Sequence, residues 1–162
     1  MSSKMKWLGA IAVAALLSSS AQAQLAVEKN LTLAMAQAIA NGAMESCKAM
    51  GYKVSVAVLD RDGLQMVMLR GDGAGLHTPE GADRKAYTAR TFRAPSADFL
   101  KRMQKDPAAH ASEEYTRVLA LGGGLPIKAG NEVVGAVGVS GSPGKDDVCS
   151  QAGIDKVADQ LK

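Results

Sequence analysis

Histidine is scarce in this chain: His77 and His110 are the only two, neither stands in a His-x-x-x-His spacing, and no carboxylate pair lies beside either. A zinc hydrolase needs three protein ligands and an open position, so it has almost no local support. Aromatic residues make up only 4% of the chain. The single Trp7 lies near the N-terminus, so the core must be built from small aliphatic side chains. Ser140 sits in Val-Ser-Gly-Ser-Pro without the Gly-x-Ser-x-Gly elbow of a nucleophilic serine. The run Gly122-Gly123-Gly124 has no Gly-Lys-Ser/Thr after it and leads into a strand, which excludes a phosphate-binding P-loop. Basic and acidic side chains number 19 and 16, and two of the basic ones, Lys4 and Lys6, fall in the first few residues. No clustered excess of Lys and Arg remains to serve an electrostatic nucleic-acid binder.

The longest apolar run, residues 7–17, stops at Ser18-Ser19-Ser20 and is short of the ~20 residues that a membrane span needs. With Lys4 and Lys6 before it and Ala21-Gln22-Ala23 after it, the pattern is that of a secretory signal peptide. Residues 1–23 are therefore expected to be removed and residues 24–162 to form one domain in the periplasm or outside the cell. Such a compartment preserves disulfides, and Cys47 and Cys149 are an even pair. Cys47 lies on the apolar stripe of the first helix, whereas Cys149 lies off the Ile154/Val157/Leu161 stripe of the last. A bridge and two buried free thiols both remain open on this reading.

Met35, Ile39, Ala43 and Cys47 recur at helical spacing and predict an amphipathic helix over 33–50, capped by Thr32 and ended by Gly51. The period then changes. Val54, Val56 and Val58 alternate with Ser55, Ala57 and Leu59 in a largely buried strand. Asp60-Arg61-Asp62-Gly63 turns it back into a second strand over 64–70, an antiparallel hairpin. Residues 71–80 have loop composition around His77. A helix over 82–93 carries Arg84, Lys85, Arg90 and Arg93, and Pro95 breaks it before a short helix that Ser96 caps. Residues 112–119 have no clear period. Two further strands, 125–129 and 132–139, are joined by Gly130-Asn131. Gly135 and Gly138 inside the second of these imply that something lies close to its backbone. Lys145 opens a closing helix reaching Leu161, with Asp146 and Asp147 well placed in its first turn. This order predicts an α/β (α+β) domain: one mainly antiparallel sheet with helices packed on its faces.

Several of these segments carry more than periodicity. Leu121-Gly-Gly-Gly-Leu-Pro-Ile127, Glu132-Val-Val-Gly-Ala-Val-Gly-Val-Ser-Gly141 and Lys145-Asp-Asp-Val-Cys149 occur with Val54-Ser-Val-Ala-Val-Leu-Asp60, Gly63-Leu-Gln-Met-Val-Met-Leu-Arg70 and Lys85-Ala-Tyr-Thr-Ala-Arg90. From about Leu31 onward, the chain resembles the GlcG/HbpS family of heme-binding proteins, related to the C-terminal domain of PduO-type cobalamin adenosyltransferases. The resemblance implies a profilin-like three-layer fold, a heme cofactor, symmetric homo-oligomers, and a pocket wall formed by the helix bearing Lys85, Ala86, Thr88 and Ala89.

Heme iron needs only one side-chain ligand, and His77 in the glycine-rich loop is the candidate; His110 is weaker. Arg84 and Lys85, with Thr88 beside Arg84 on the same helix, offer partners for carboxylates such as propionates. Gly122, Gly123 and Gly124 can act as an anion nest of backbone donors or simply as a tight turn into the sheet. Asp60 is the best lone general base, although Asp at such a junction normally caps the turn. Met66 and Met68 are soft donors whose alternation also fits packing. The favoured reading is an exported, non-enzymatic binding protein for heme or another small anionic ligand, with a sensing or carrier role. The alternatives are a small-molecule enzyme of hydroxy-acid or diol catabolism, favoured if a buried carboxylate such as Asp60 faces the same pocket as Lys85, and an interaction module for a membrane sensor. Self-association is expected through the valine-rich strand 132–139 near a sheet edge.

Overall fold

The computed structural model describes residues 25–162; the expected signal peptide, residues 1–23, lies outside them. Thr32 accepts a hydrogen bond from the Met35 amide and starts helix α1, Leu33–Ala49. Strands β1 (Ser55–Leu59) and β2 (Gln65–Arg70) form the first hairpin. Helices α2 (Thr78–Phe92) and α3 (Ser96–Lys105) follow, then a 3-10 helix, Pro107–Glu114. Strands β3 (Gly124–Ala129) and β4 (Glu132–Ser140) form the second hairpin, and α4, Asp146–Asp155, closes the domain. The strand order is β2-β1-β4-β3, antiparallel throughout.

Strand alternation sends the two sets of β1 side chains to opposite layers. Val54, Val56 and Val58 join Ile127, Val137 and Val139 against Ile39, Ala40 and Ala43 of α1, with Cys149 of α4 in the same cluster. Ala57, Leu59 and Ala136 face Ala82, Ala86 and Ala89 of α2 on the other side. A third cluster lies under α3, where the Phe92 and Phe99 rings stack at 4.1 Å. The result is a three-layer α+β arrangement. Cys47 and Cys149 form a disulfide, Cα–Cα 5.5 Å, that joins α1 to α4.

Glycine sets how closely α2 approaches the sheet. A Cβ on Gly138 would collide with the Ala82 carbonyl, and one on Gly124 with the Lys85 carbonyl. What lies close to β4 at Gly138 is therefore the α2 backbone. At Gly135 it is the Leu59 carbonyl and the Leu31 side chain. Neither glycine forms the floor of a ligand site. A matching contact occurs on the other face, where a Cβ on Gly153 of α4 would strike the Ile39 carbonyl of α1.

Two boundaries and one sheet position differ from the sequence expectation. Helix α2 begins at Thr78, inside the expected loop, because Pro79 occupies its first turn, where a fixed φ and a missing N–H cost nothing. Helix α4 ends at Asp155, well short of Leu161, and the Leu161 carbonyl instead accepts a hydrogen bond from the Gly130 amide in the β3–β4 turn. Strand β4 is central, paired on both sides, so Val134, Val137 and Val139 are buried within the domain and unavailable to a neighbouring subunit. The free edges belong to β2 and β3.

Candidate functional site

A cleft of about 600 Å³ opens at the N-terminal end of α2, between the 71–77 loop and the turns at 121–123 and 140–147. Lys53, His77, Thr78, Lys85, Asp146 and Asp147 contribute to its lining. Thr78 pins the loop: its hydroxyl hydrogen-bonds to the Gly75 carbonyl and to the Ser55 hydroxyl, both at 2.8 Å. Arg70 ties the same loop from below by donating to the Ala74 carbonyl at 2.8 Å. His77 stands at the N-cap position of α2 yet makes no capping bond, and its ring is exposed beside Gly75. The imidazole is thus left free at the rim. Lys53 is likewise exposed, with its side chain alongside Gly73.

The inner wall is an ion pair. Lys85, buried, places Nζ 2.8 Å from Asp146 Oδ2 and 3.2 Å from the Val139 carbonyl. Asp146 Oδ1 accepts from the Ser142 amide at 2.9 Å and the Ser142 hydroxyl at 2.6 Å. Ser142 Oγ in turn lies 3.1 Å from Cys47 Sγ, so the network reaches the disulfide. Every charge here is compensated by a partner, as a buried charge requires. Lys85 lines the cleft, but its ammonium is committed to Asp146 and is not a free cation for a ligand carboxylate.

The triple-glycine turn is committed in a similar way. The Gly123 amide donates to Asp147 Oδ1 at 2.7 Å and the Gly124 amide to Ser96 Oγ at 2.9 Å. Ser150 Oγ donates to the Gly123 carbonyl at 2.7 Å. These amides are not available as an anion nest, and the turn acts as a structural entry to β3. Of the three, Gly122 alone lines the cleft. Arg84 points elsewhere: its guanidinium donates to the Val118 carbonyl at 2.8 Å and to Glu80 at 3.2 Å. Thr88 accepts from the Leu119 amide at 2.8 Å and donates to the Arg84 carbonyl. Together they pin residues 118–119 to α2, away from the cleft.

The structure therefore brings His77, Lys85 and Gly122 together and leaves Arg84, Thr88, Gly123 and Gly124 outside. Sequence reasoning missed Lys53, whose only signal is a cation directly before a buried strand. It also took Asp146 and Asp147 as helix-dipole residues, although they form the cleft wall. Asp60 caps its turn, accepting from the Asp62 and Leu64 amides at 2.9 Å each. Met66 and Met68 pack against the two sheet faces. His110 is exposed on the 3-10 helix. Among the described residues, no group of three or more His, Cys, Asp or Glu side chains could hold a metal ion, and no helix is long and apolar enough to cross a membrane.

A four-stranded antiparallel sheet between two helical layers, with one open cleft where α2 begins, defines a small three-layer α+β domain. The chain belongs to the HbpS-like family, described as "Haem degrading protein HbpS-like", whose profile matches residues 31–155. It is similar to HbpS of Streptomyces reticuli, solved as a double mutant: 38% identical, 81% of this chain and 89% of that one covered, TM-score 0.76. An uncharacterized 15.0 kDa protein from the dhaT-dhaS intergenic region of Citrobacter freundii is 29% identical over 119 residues, 72% of this chain and 84% of that protein. The fold is also that of PduOC, solved as a heme complex: 24% identical, TM-score 0.72, covering 79% of this chain and 95% of that one.

Proposed function

We propose that this protein is an exported heme-binding protein whose ligand enters the cleft at the start of α2. The observation that carries the reading is the unbonded imidazole of His77 on the rim of that cleft, in a chain of the HbpS-like family. The residues present fit a heme. His77 supplies a nitrogen of the kind iron takes as an axial ligand, and Lys53 supplies an exposed ammonium for a propionate. Bound heme would contribute one-electron and dioxygen chemistry. The chain's own contribution is to hold and orient: Thr78 fixes the backbone that carries His77, and the Lys85–Asp146 pair keeps the inner wall rigid and electrically balanced.

That balance favours binding over catalysis through this pair, because the buried lysine and its nearest carboxylate are locked together. The enzyme of hydroxy-acid catabolism would be favoured by a buried carboxylate such as Asp60 in the cleft; Asp60 lies at the β1–β2 turn, occupied as a cap, and the buried carboxylate that does line the cleft, Asp146, is paired with Lys85. Export is supported by the signal-like residues 1–23 and by a disulfide, which persists in oxidising compartments. A sensing role would call for a partner recovered with the protein from a periplasmic fraction. Self-association, through the β2 or β3 edge, would give a mass of twice the monomer or more in light scattering.

Hemin titration tests the reading. The wild type should give a saturable Soret band, His77→Ala should lose or shift it, and Lys53→Ala should weaken binding with the band unchanged. A wild type that never saturates removes the heme reading. A His77→Ala variant that binds as the wild type removes this site. Decay of the Soret band in the presence of reductant and air would replace the carrier by a heme-degrading enzyme.

A further inference from the structure

The opposite end of α2 holds a second cluster of charge that the heme reading does not use. Arg61 in the β1–β2 turn, Arg90 in the last turn of α2 and Arg93 at its C-cap line a concavity of about 180 Å³, closed by Asn131, Glu132 and Val133 of the β3–β4 hairpin. The fifteen residues of α2 separate it from the His77 cleft, about 22 Å at 1.5 Å per residue. Arg61 is already neutralised: Nε lies 3.0 Å from Glu28, and Nη1 lies 3.1 Å from Glu132 and 3.0 Å from the Lys29 carbonyl. Glu132 is occupied by the same contact. Asp60, nearby, is occupied by its turn.

Arg90 and Arg93 are different. Neither makes an ion pair or hydrogen bond among the described residues, and Nε of Arg90 is buried without a partner. A buried donor left unmet carries a desolvation penalty. Burial, followed by the neighbouring Arg93 and Arg61 charges, lowers the affinity of Arg90 for its proton, while Asp62 and Asp60 oppose this. Arg93 is also the one non-glycine residue with positive φ, 55°, among the described residues. Strained backbone of this kind persists where surrounding structure over-determines it, and it clusters at ligand clamps. Two guanidiniums with no direct ion-pair partner among the described residues, offset only by the more distant Asp60 and Asp62 charges, surround one hollow and form a receptor for a doubly charged oxyanion.

We propose that this hollow binds a phosphate dianion, free or as the phosphoryl group of a small molecule. Guanidinium forks match phosphate oxygens in bidentate geometry; a phosphomonoester has mostly lost its second proton at neutral pH, and free phosphate presents the same dianion in slightly alkaline buffer. Arg90 and Arg93 supply the charge, the Asn131 side chain can add a neutral donor, and Arg61 holds Glu132 back from the ligand. The proposal stands or falls independently of heme.

Amide NMR titration of the mature protein with inorganic phosphate tests it, with chloride at matched ionic strength as control and glycerol phosphate as a second arm. Expected are saturable shifts at residues 61, 90–93 and 131–133 with none at 75–78. Arg93→Gln should raise the half-saturation concentration at least tenfold, Arg90→Gln likewise, and His77→Ala should not change it. A stronger response to glycerol phosphate than to phosphate assigns the site to a phosphomonoester; an equal or weaker one assigns it to the free ion. Shifts that follow ionic strength alone, or that survive Arg93→Gln, overturn the proposal. Arg93 is exposed and unpaired, so its variant folds and decides the question even if Arg90→Gln does not.

Discussion

Replacing Lys85 by Met tests the Lys85–Asp146 pair most directly. The side chains are 2% and 12% exposed and their charged atoms lie 2.8 Å apart, so solvent screens them little. Lys85→Met leaves the Asp146 carboxylate with the Ser142 amide and hydroxyl but no countercharge. Asp146→Asn leaves the Lys85 ammonium with neutral acceptors only, the Val139 carbonyl and the new amide, and no countercharge. Removing one partner of a buried pair costs about 3–5 kcal/mol. Against a total stability of about 5–15 kcal/mol for a single domain, each single variant forfeits a large fraction. At roughly 3 °C per kcal/mol for a domain of this size, Tm should fall by about 10–15 °C. The double variant Lys85→Met/Asp146→Asn removes both charges and keeps the shape. It should lie within about 1–2 kcal/mol of wild type, because neutral replacement of a buried pair is often tolerated. Urea unfolding of all four proteins under oxidising conditions gives the cycle. Singles that cost less than about 1 kcal/mol, or a double variant that costs the sum of the singles, would show that the pair is not the electrostatic unit described.

Reduction of the Cys47–Cys149 bridge, or the Cys47→Ala/Cys149→Ala variant, reopens a sequence separation of 102 residues and should lower unfolding free energy by about 4–5 kcal/mol. Urea midpoints with and without reductant measure it, and equal midpoints would contradict the account. Two glycines make a matched pair for the packing argument. Gly138→Ala forces a Cβ into the Ala82 carbonyl and should cost more than about 2 kcal/mol. Gly130→Ala meets open space and should cost only the ~1 kcal/mol of a left-handed backbone at φ 61°. Equal thermal shifts for the two would refute it.

The two hairpins were legible because period-2 runs bounded by Asp60-Arg61-Asp62-Gly63 and Gly130-Asn131 specify them locally, whereas the long-range β1–β4 pairing that makes β4 central was not. The site was less legible because its partners are distant in sequence: Lys85 and Asp146 are 61 residues apart and Gly124 and Ser96 are 28 apart. Arg84 and Lys85 look equivalent on a line, but one step along a helix turns the side chain about 100°, and that step sends Lys85 to the cleft and Arg84 to Val118. The disulfide was ambiguous for a related reason. The last helix was oriented by Val157 and Leu161, yet it ends at Asp155, so those residues do not share its face. Cys149 and Gly153, four apart on one face, meet α1 instead.

Helix α1 packs against α4, and the disulfide seals that contact. The first helix of the domain therefore lacks its main helical neighbour until α4 has been synthesised. Strands β1 and β2 can cover one side of α1 early, but the side that faces α4 stays exposed until the C-terminal segment has been made. Such long-range closure makes folding slow and late, a completion step in place of a progressive one. Oxidation can seal the domain only after that step, because the two sulfurs are carried by its opposite ends.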